Sequence, residues 1–157
     1  MKTKYILLVI CMLSINTIYA QNNTFKSLFE KYENEDDVTI ISISKAMFNM
    51  MSGNSINTGN VDLQNIAPKI ESLLLITSDK SVMKEKMALE FKSVIEKDKN
   101  YEQLMRIRDG KSNVIFNAKK KGGIINELIM FVNDENEFVA IQILGNFTLE
   151  EIQQITI

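Results

Sequence analysis

Apolar residues recur along this chain at two spacings, and the switch from one to the other predicts an α+β fold. Phe25, Leu28, Phe29 and Tyr32 return at the helical interval after Asn23 or Thr24, which reads as a short amphipathic helix. The acidic stretch from Asn34 to Asp37 ends it. Val38 to Ile43 and Ile70 to Thr77 are short apolar runs of the buried-strand kind, with Leu73, Leu74, Leu75 and Ile76 apolar on both parities. Ser44 is placed to cap a helix over Lys45 to Met51, and Ser52 to Asn60 reads as a surface loop. Ser78 to Ser81 should cap the longest helix, which runs to about Lys97 with Met83, Met87, Phe91 and Val94 along one face. Pro68 stands just before the second strand, where it interrupts no ladder.

The last third punctuates itself. Tyr101 to Arg108, Asn113 to Lys121, Ile124 to Val132 and Glu137 to Leu144 are strand-like runs separated by Asp109-Gly110-Lys111, Gly122-Gly123 and Asn133 to Asn136, a four-strand antiparallel meander. Thr148 and Glu151 then have capping-box spacing for a short terminal helix. If Gly122-Gly123 and Asp134-Glu135 centre their turns, Phe116 faces Ile129, Phe131 faces Phe138 and Glu127 faces Gln142. One face then gathers Val114, Phe116, Ile129, Phe131, Phe138, Ala140 and Leu144, joined by Met105 and Ile107, and should receive the long helix. The other carries Ile115, Leu128, Met130, Val132, Val139, Ile141 and Ile143, with Asn117, Lys119, Asn126, Arg106 and Arg108 toward its margins. A sheet with one wet face should alternate apolar and polar residues, and these central strands do not. Either the N-terminal or C-terminal helices cover this second face, or it is an interaction surface centred on Leu128, Met130, Val139, Ile141 and Ile143.

The N-terminus adds a destination. Lys2 and Lys4 precede a nearly unbroken apolar run from Tyr5 to Ile15, and Ala20 precedes Gln21, the layout of a secretory signal peptide. The run falls short of the roughly 20 residues that span a bilayer. Cleavage is expected after Ala20, leaving residues 21–157 as a single domain that is periplasmic or secreted. Cys11 follows Leu8-Val9-Ile10, where a lipidation signal would put a small residue in place of Ile10, so no membrane anchor is expected. Losing Lys2 and Lys4 lowers Lys+Arg from 18 to 16 against 20 acids, a net charge of −4. That balance offers no nucleic-acid surface.

Composition then narrows the chemistry. The sequence holds no His and no Trp, and its one Cys is Cys11, inside the signal segment. A mature chain without His or Cys lacks the commonest general base, the thiol nucleophile and the best transition-metal ligands, so no catalytic, metal or cofactor residues are assigned and no enzyme is expected. Without disulfides the fold must rest on its apolar core. Met47, Met50, Met51, Met83 and Met87 could suggest a thioether site, but their spacing also suits core packing. Glu127 and Gln142 stand out as polar residues on apolar strands. A carboxylate there could serve as a general acid, yet a hydrogen-bonded structural pair also reached by a lysine is the simpler reading. Lys119-Lys120-Lys121 before Gly122-Gly123 lacks the strand-to-helix context of a phosphate loop. Asn22-Asn23-Thr24 and Asn146-Phe147-Thr148 match the glycosylation sequon, a pattern common by chance.

Tyr101 to Met105, Asn113 to Lys119, Ile125 to Val132 and Phe138 to Gly145, with the earlier Ile43-Ser44-Lys45-Ala46-Met47, resemble the small exported proteins of Gram-negative bacteria grouped as domain of unknown function 4252. The likeness runs from about Phe25 to Ile152. It implies an envelope or secreted location and supplies no catalytic residues. The expectation is a non-enzymatic exported protein that binds a protein or cell-envelope component, or a second copy of itself, through a sheet face or edge. A carboxylate-based hydrolase of an envelope polymer and a carrier of a small apolar ligand are the alternatives, the first needing converging ionisable groups and the second an internal cavity.

Overall fold

The computed structural model describes residues 24–53 and 66–153. Helix α1 (Thr24–Tyr32) leads into strand β1 (Thr39–Ser44) and helix α2 (Lys45–Gly53). A 3-10 turn (Ala67–Lys69) precedes β2 (Ile70–Ser78), α3 (Ser81–Lys97), the meander β3 (Glu102–Asp109), β4 (Ser112–Lys121), β5 (Ile124–Asn133) and β6 (Phe138–Phe147), and α4 (Leu149–Gln153). The strands form one antiparallel sheet in the order β1-β2-β6-β5-β4-β3. The fold is therefore the expected α+β arrangement, with β2 completing the meander on the β6 side. The proposed cleavage site, the 1–20 segment and most of the Ser52 to Asn60 loop lie outside the described residues.

The turns follow from their glycines. Gly122 and Gly123 both take positive φ, 59° and 84°, the two-residue hairpin geometry that suits sheet twist. Gly110, at φ 56°, opens the β3–β4 turn. At the start of α4, Thr148 N–H donates to Glu151 Oε2 at 2.9 Å and Glu151 N–H to Thr148 Oγ1 at 3.3 Å, the reciprocal box that the spacing predicts. The start of α3 differs from expectation. Lys80 is its N-cap and no side chain caps it; Ser78 instead donates to the Asp37 carbonyl and accepts from Lys80 N–H.

Helices α1 and α3 cover one sheet face. Phe25, Phe29, Tyr32, Met87 and Phe91 close onto Ile76, Ile129, Phe131, Phe138 and Ala140, with Met83 and Val94 packed beside them. Phe91 sits at the centre, edge-on to Phe25 at 5.1 Å and against Phe138 at 5.5 Å. Lys31 and Tyr32 tie α1 to α3 by donating to the Glu90 carboxylate.

Bulges at four successive strand pairs line up near one end of the sheet. Leu104, Asn126, one of Gly145 or Asn146, and Glu71 are each the extra residue at a register shift. Side chains stitch three of these positions together: Asn126 donates to Asn146 at 2.9 Å, and Asn146 to Glu71 at 3.3 Å. Bulges in line increase twist and bend strands, and the bent end encloses a second cluster of Ile66, Ala118, Ile125, Leu128 and Phe147.

The same bulges correct the sequence reading of β4. The pairing is Lys119 with Glu127, Asn117 with Ile129 and Ile115 with Phe131, one residue from the turn-based register, because Asn126 is extra on β5. A one-residue slip exchanges a strand's faces. Val114 and Phe116, with Met105 and Ile107 opposite them on β3, therefore lie on the second face, while Ile115, Asn117 and Lys119 lie on the helix side with Arg106 and Arg108. The β5–β6 register is shifted by two, which preserves the faces: Phe131 pairs with Ala140 and Glu127 with Leu144. The connection is the four-residue loop Asp134 to Glu137, in which Asp134 Oδ1 accepts the backbone N–H groups of Asn136 and Glu137.

Candidate functional site

On the second face the side chains form three rows across all six strands. Ile43, Leu73, Ile143, Leu128, Ala118 and Glu102 make the row nearest the bulged end. Ile41, Leu75, Ile141, Met130, Phe116 and Met105 make the middle row, apolar at every position. Thr39, Thr77, Val139, Val132, Val114 and Ile107 make the third.

Chain elements cover the first row. Phe48 of α2 packs with Ala67 and Ile70 against Ile43, Leu73 and Ile143, and Ile66 joins Leu128 and Ala118. The covering helix is thus α2 with the 3-10 turn, rather than the terminal helices. No residue of the other two rows belongs to a buried cluster of the described residues or packs at the margin of one. Ile41 is 46% exposed at one edge, and Met105 and Ile107 are 41% and 48% exposed at the other, with partly buried residues between. The five residues singled out from the sequence divide accordingly. Leu128 and Ile143 lie in the covered row; Met130, Ile141 and Val139 lie in the two beyond it. Strand spacing of ~4.8 Å and rise of ~3.4 Å give those two rows a footprint of about 400 Å².

The helix side carries the buried polar chemistry. Glu127 is 6% exposed and Gln142 1%. They are diagonal across β5 and β6, and the Gln142 amide donates to Glu127 Oε1, as does Tyr101 Oη at 2.8 Å. Lys119, directly across from Glu127, reaches its Oε2 at 3.2 Å and Asp98 Oδ2 at 2.9 Å, and lies 4.2 Å from the centre of the Tyr101 ring. Burial and the neighbouring carboxylate push the Tyr101 hydroxyl far above its usual range, so it is a donor at all working pH. Burial alone would raise the Asp98 carboxyl, but Lys119 and the Asn100 backbone outweigh it and hold it low. The pairing of Glu127 with Gln142 and a lysine was readable in the strands. Tyr101 and Asp98 were not, because they come from the turn after α3; Asp98 and Asn100 at turn spacing are the only local sign.

Helix α3 is fastened over the sheet at both ends, by Lys84 donating to the Asp134 and Glu135 carbonyls and by Asp98 pairing with Lys119. Between these ties, the β3–β4 half of the sheet projects past the helix and leaves a groove of about 350 Å³. Its floor includes Ile115 and Phe131, its wall Ile95, and its polar lining Gln103, Asn113, Asn117, Asn133 and Arg106. Glu127, Tyr101 and Lys119 do not line it.

The methionines are not brought together. Met47 and Met50 are exposed on α2, whereas Met83 and Met87 pack beneath α3. Asn146 of the second sequon is exposed and held by Asn126 and Glu71. No helix among the described residues is long and apolar enough to cross a membrane.

Comparison with known proteins returns a family and no more. Neither the curated proteins nor the solved structures contain a match. The model of a domain of unknown function (DUF4252) matches residues 32–155, from the end of α1 to just past α4, and the chain belongs to that family.

Proposed function

We propose that this is an exported binding protein, without catalysis of its own, that docks an apolar protein surface on the second face of its sheet. The observation that carries the reading is the middle row. Six apolar side chains, one per strand, run from exposed Ile41 to exposed Met105, where a solvent-facing sheet would place polar residues. Size constrains the partnership. A footprint of about 400 Å² on each side totals about 800 Å², below the ~1,200 Å² of stable complexes, so docking through these rows alone is transient. The face is a better candidate than the β3 edge. Edge strand β3 carries a bulge and the charges of Glu102, Arg106, Arg108 and Asp109, devices that discourage strand addition.

Photo-crosslinking in cells tests this. A photoreactive side chain at Met130 should give a discrete protein adduct, of homodimer or heterodimer mass, and the same probe at Val82, 83% exposed on α3, should give none. Equal labelling from both positions, or none from Met130, would remove the reading.

A further inference from the structure

We infer that two copies of this chain pair through strand β1, edge to edge and antiparallel, so that two six-stranded sheets join into one of twelve strands. This pairing uses the sheet edge and does not depend on what docks on the face. The two edges of the sheet are built differently. β3 carries a bulge and four charged residues, whereas β1 reads Thr-Ile-Ile-Ser-Ile-Ser, with no charge, no proline and no bulge in its pairing with β2. β-branched residues suit strand pairing, and an edge without charges or a bulge is open to it. No described strand lies beyond β1. Thr39, Ile41, Ser42 and Ser44 are exposed. Helix α2 leaves the strand inward, with Phe48 packed among Ile70 and Leu73 of β2 and Ile143 of β6, so it lies over the sheet and leaves the edge clear.

Self-complementarity selects the occupant. Side chains directly opposite in an antiparallel pair share a face, so a two-fold axis normal to the sheet and passing through residue 41 keeps the faces of the two copies matched. Ile41 then faces Ile41 of the second copy, and Ile40 faces its Ser42. Carried just past the strand ends, the same register sets Asp37 beside Lys45 of the second copy, and symmetry repeats the pair at the other end. Both residues are exposed, and neither forms an ion pair with a described residue. Moving the axis to Ser42 would put Lys45 opposite Thr39 and lose the match. An acid at one end of a strand and a base at the other is the pattern that an antiparallel copy of that strand answers. Pairing also lengthens the apolar face. The two middle rows meet at Ile41, and footprints of about 400 Å² adjoin to give about 800 Å², the area one side of a standard interface supplies.

The test uses the protein in the form that accumulates in cells. Sedimentation over a concentration series should show monomer in equilibrium with dimer. Asp37→Lys and Lys45→Asp should each weaken the dimer about tenfold at low salt, because each sets like charges together at both ends of the pairing. The two substitutions combined should restore it to near the wild-type value. In a Cys11→Ser background, Ile41→Cys treated with diamide should give a disulfide-linked dimer, since directly opposite Cα atoms lie ~4.5–5.5 Å apart, within disulfide reach. Val82→Cys on α3 should give none. A probe at Met130, three strands in from the edge, does not report this contact, so edge pairing and face docking fail separately. Monomer alone up to the highest soluble concentration would overturn the proposal and leave the edge to a strand of another protein. No recovery on combining the two charge reversals, or equal crosslinking from positions 41 and 82, would overturn it as well.

Discussion

Lys119 holds together the most concentrated buried chemistry in this chain. It faces Glu127 across β4–β5, reaches Asp98 at the end of α3 and covers the Tyr101 ring, so one ammonium joins the helix end to the sheet. Glu127 is nearly fully buried, and removing a partner from such a pair leaves an uncompensated charge. Lys119→Met should cost about 3 kcal/mol in urea unfolding, and Tyr101→Phe, which deletes one charge-assisted hydrogen bond, about 2 kcal/mol. The pH dependence follows from Asp98. Its carboxyl titrates lower in the folded chain than in the unfolded one, so the contribution is complete above the ordinary carboxylate range and disappears as pH falls through the lowered folded value. Asp98→Asn should therefore cost about 1 kcal/mol at neutral pH and less at acid pH, below the ordinary carboxylate range, measured by urea midpoints at both. An equal cost at both pH values would deny the ion pair its role. The sequence marks Glu127 and Gln142 as anomalous strand residues and so leads to half of this cluster. The other half depends on where α3 ends, which no strand pattern encodes.

Among the elements, the four meander strands were legible because glycines and short polar runs bound each one, and α3 because its apolar stripe is long. Faces were less legible than strands. A turn-based register holds only while both partners advance one residue at a time, and Asn126 breaks that on β5. A residue with an ordinary strand sequence on either side gives no sign that it is extra, so β4 reads one step out and Val114 and Phe116 exchange places with Ile115 and Asn117. Gly145 is the clearest local mark of the bulged end. A Cβ there would collide with the Lys69 carbonyl and the Phe147 ring, since the 3-10 turn crosses β6 at that point. Gly145→Ala should destabilise the protein by about 2 kcal/mol in thermal or urea unfolding, with the loss traceable by hydrogen exchange to β6 and the 3-10 turn. A neutral substitution would mean that the turn does not press on the sheet there.

For the molecule as a whole, the two sides of the sheet serve different ends. One is closed by α1 and α3 around Phe91, with a polar groove left where the helix does not reach. The other is closed by α2 and the 3-10 turn over a single row, while a middle row of apolar side chains extends to both sheet edges and a third row is apolar from β6 to β3. The doubled apolar pattern of the central strands announced in the sequence that something meets this face; which rows are covered required the path of α2. Export is the companion proposal, and intact mass of the protein that accumulates in cells should give a chain beginning at Gln21, whereas a retained Met1 or a lipidated Cys11 would contradict it.

In the proposed function the middle row of the second face is surface held for a partner, not core. The most direct measurement compares the urea stability of Ile141→Asp, in that row, with Ile129→Asp, fully buried beneath the helices. Ile141→Asp should fold and lose about 1–2 kcal/mol, while Ile129→Asp should lose about 4 kcal/mol or more or fail to fold. If Ile141→Asp is as damaging as Ile129→Asp, the row is closed by the chain itself and the binding face does not exist.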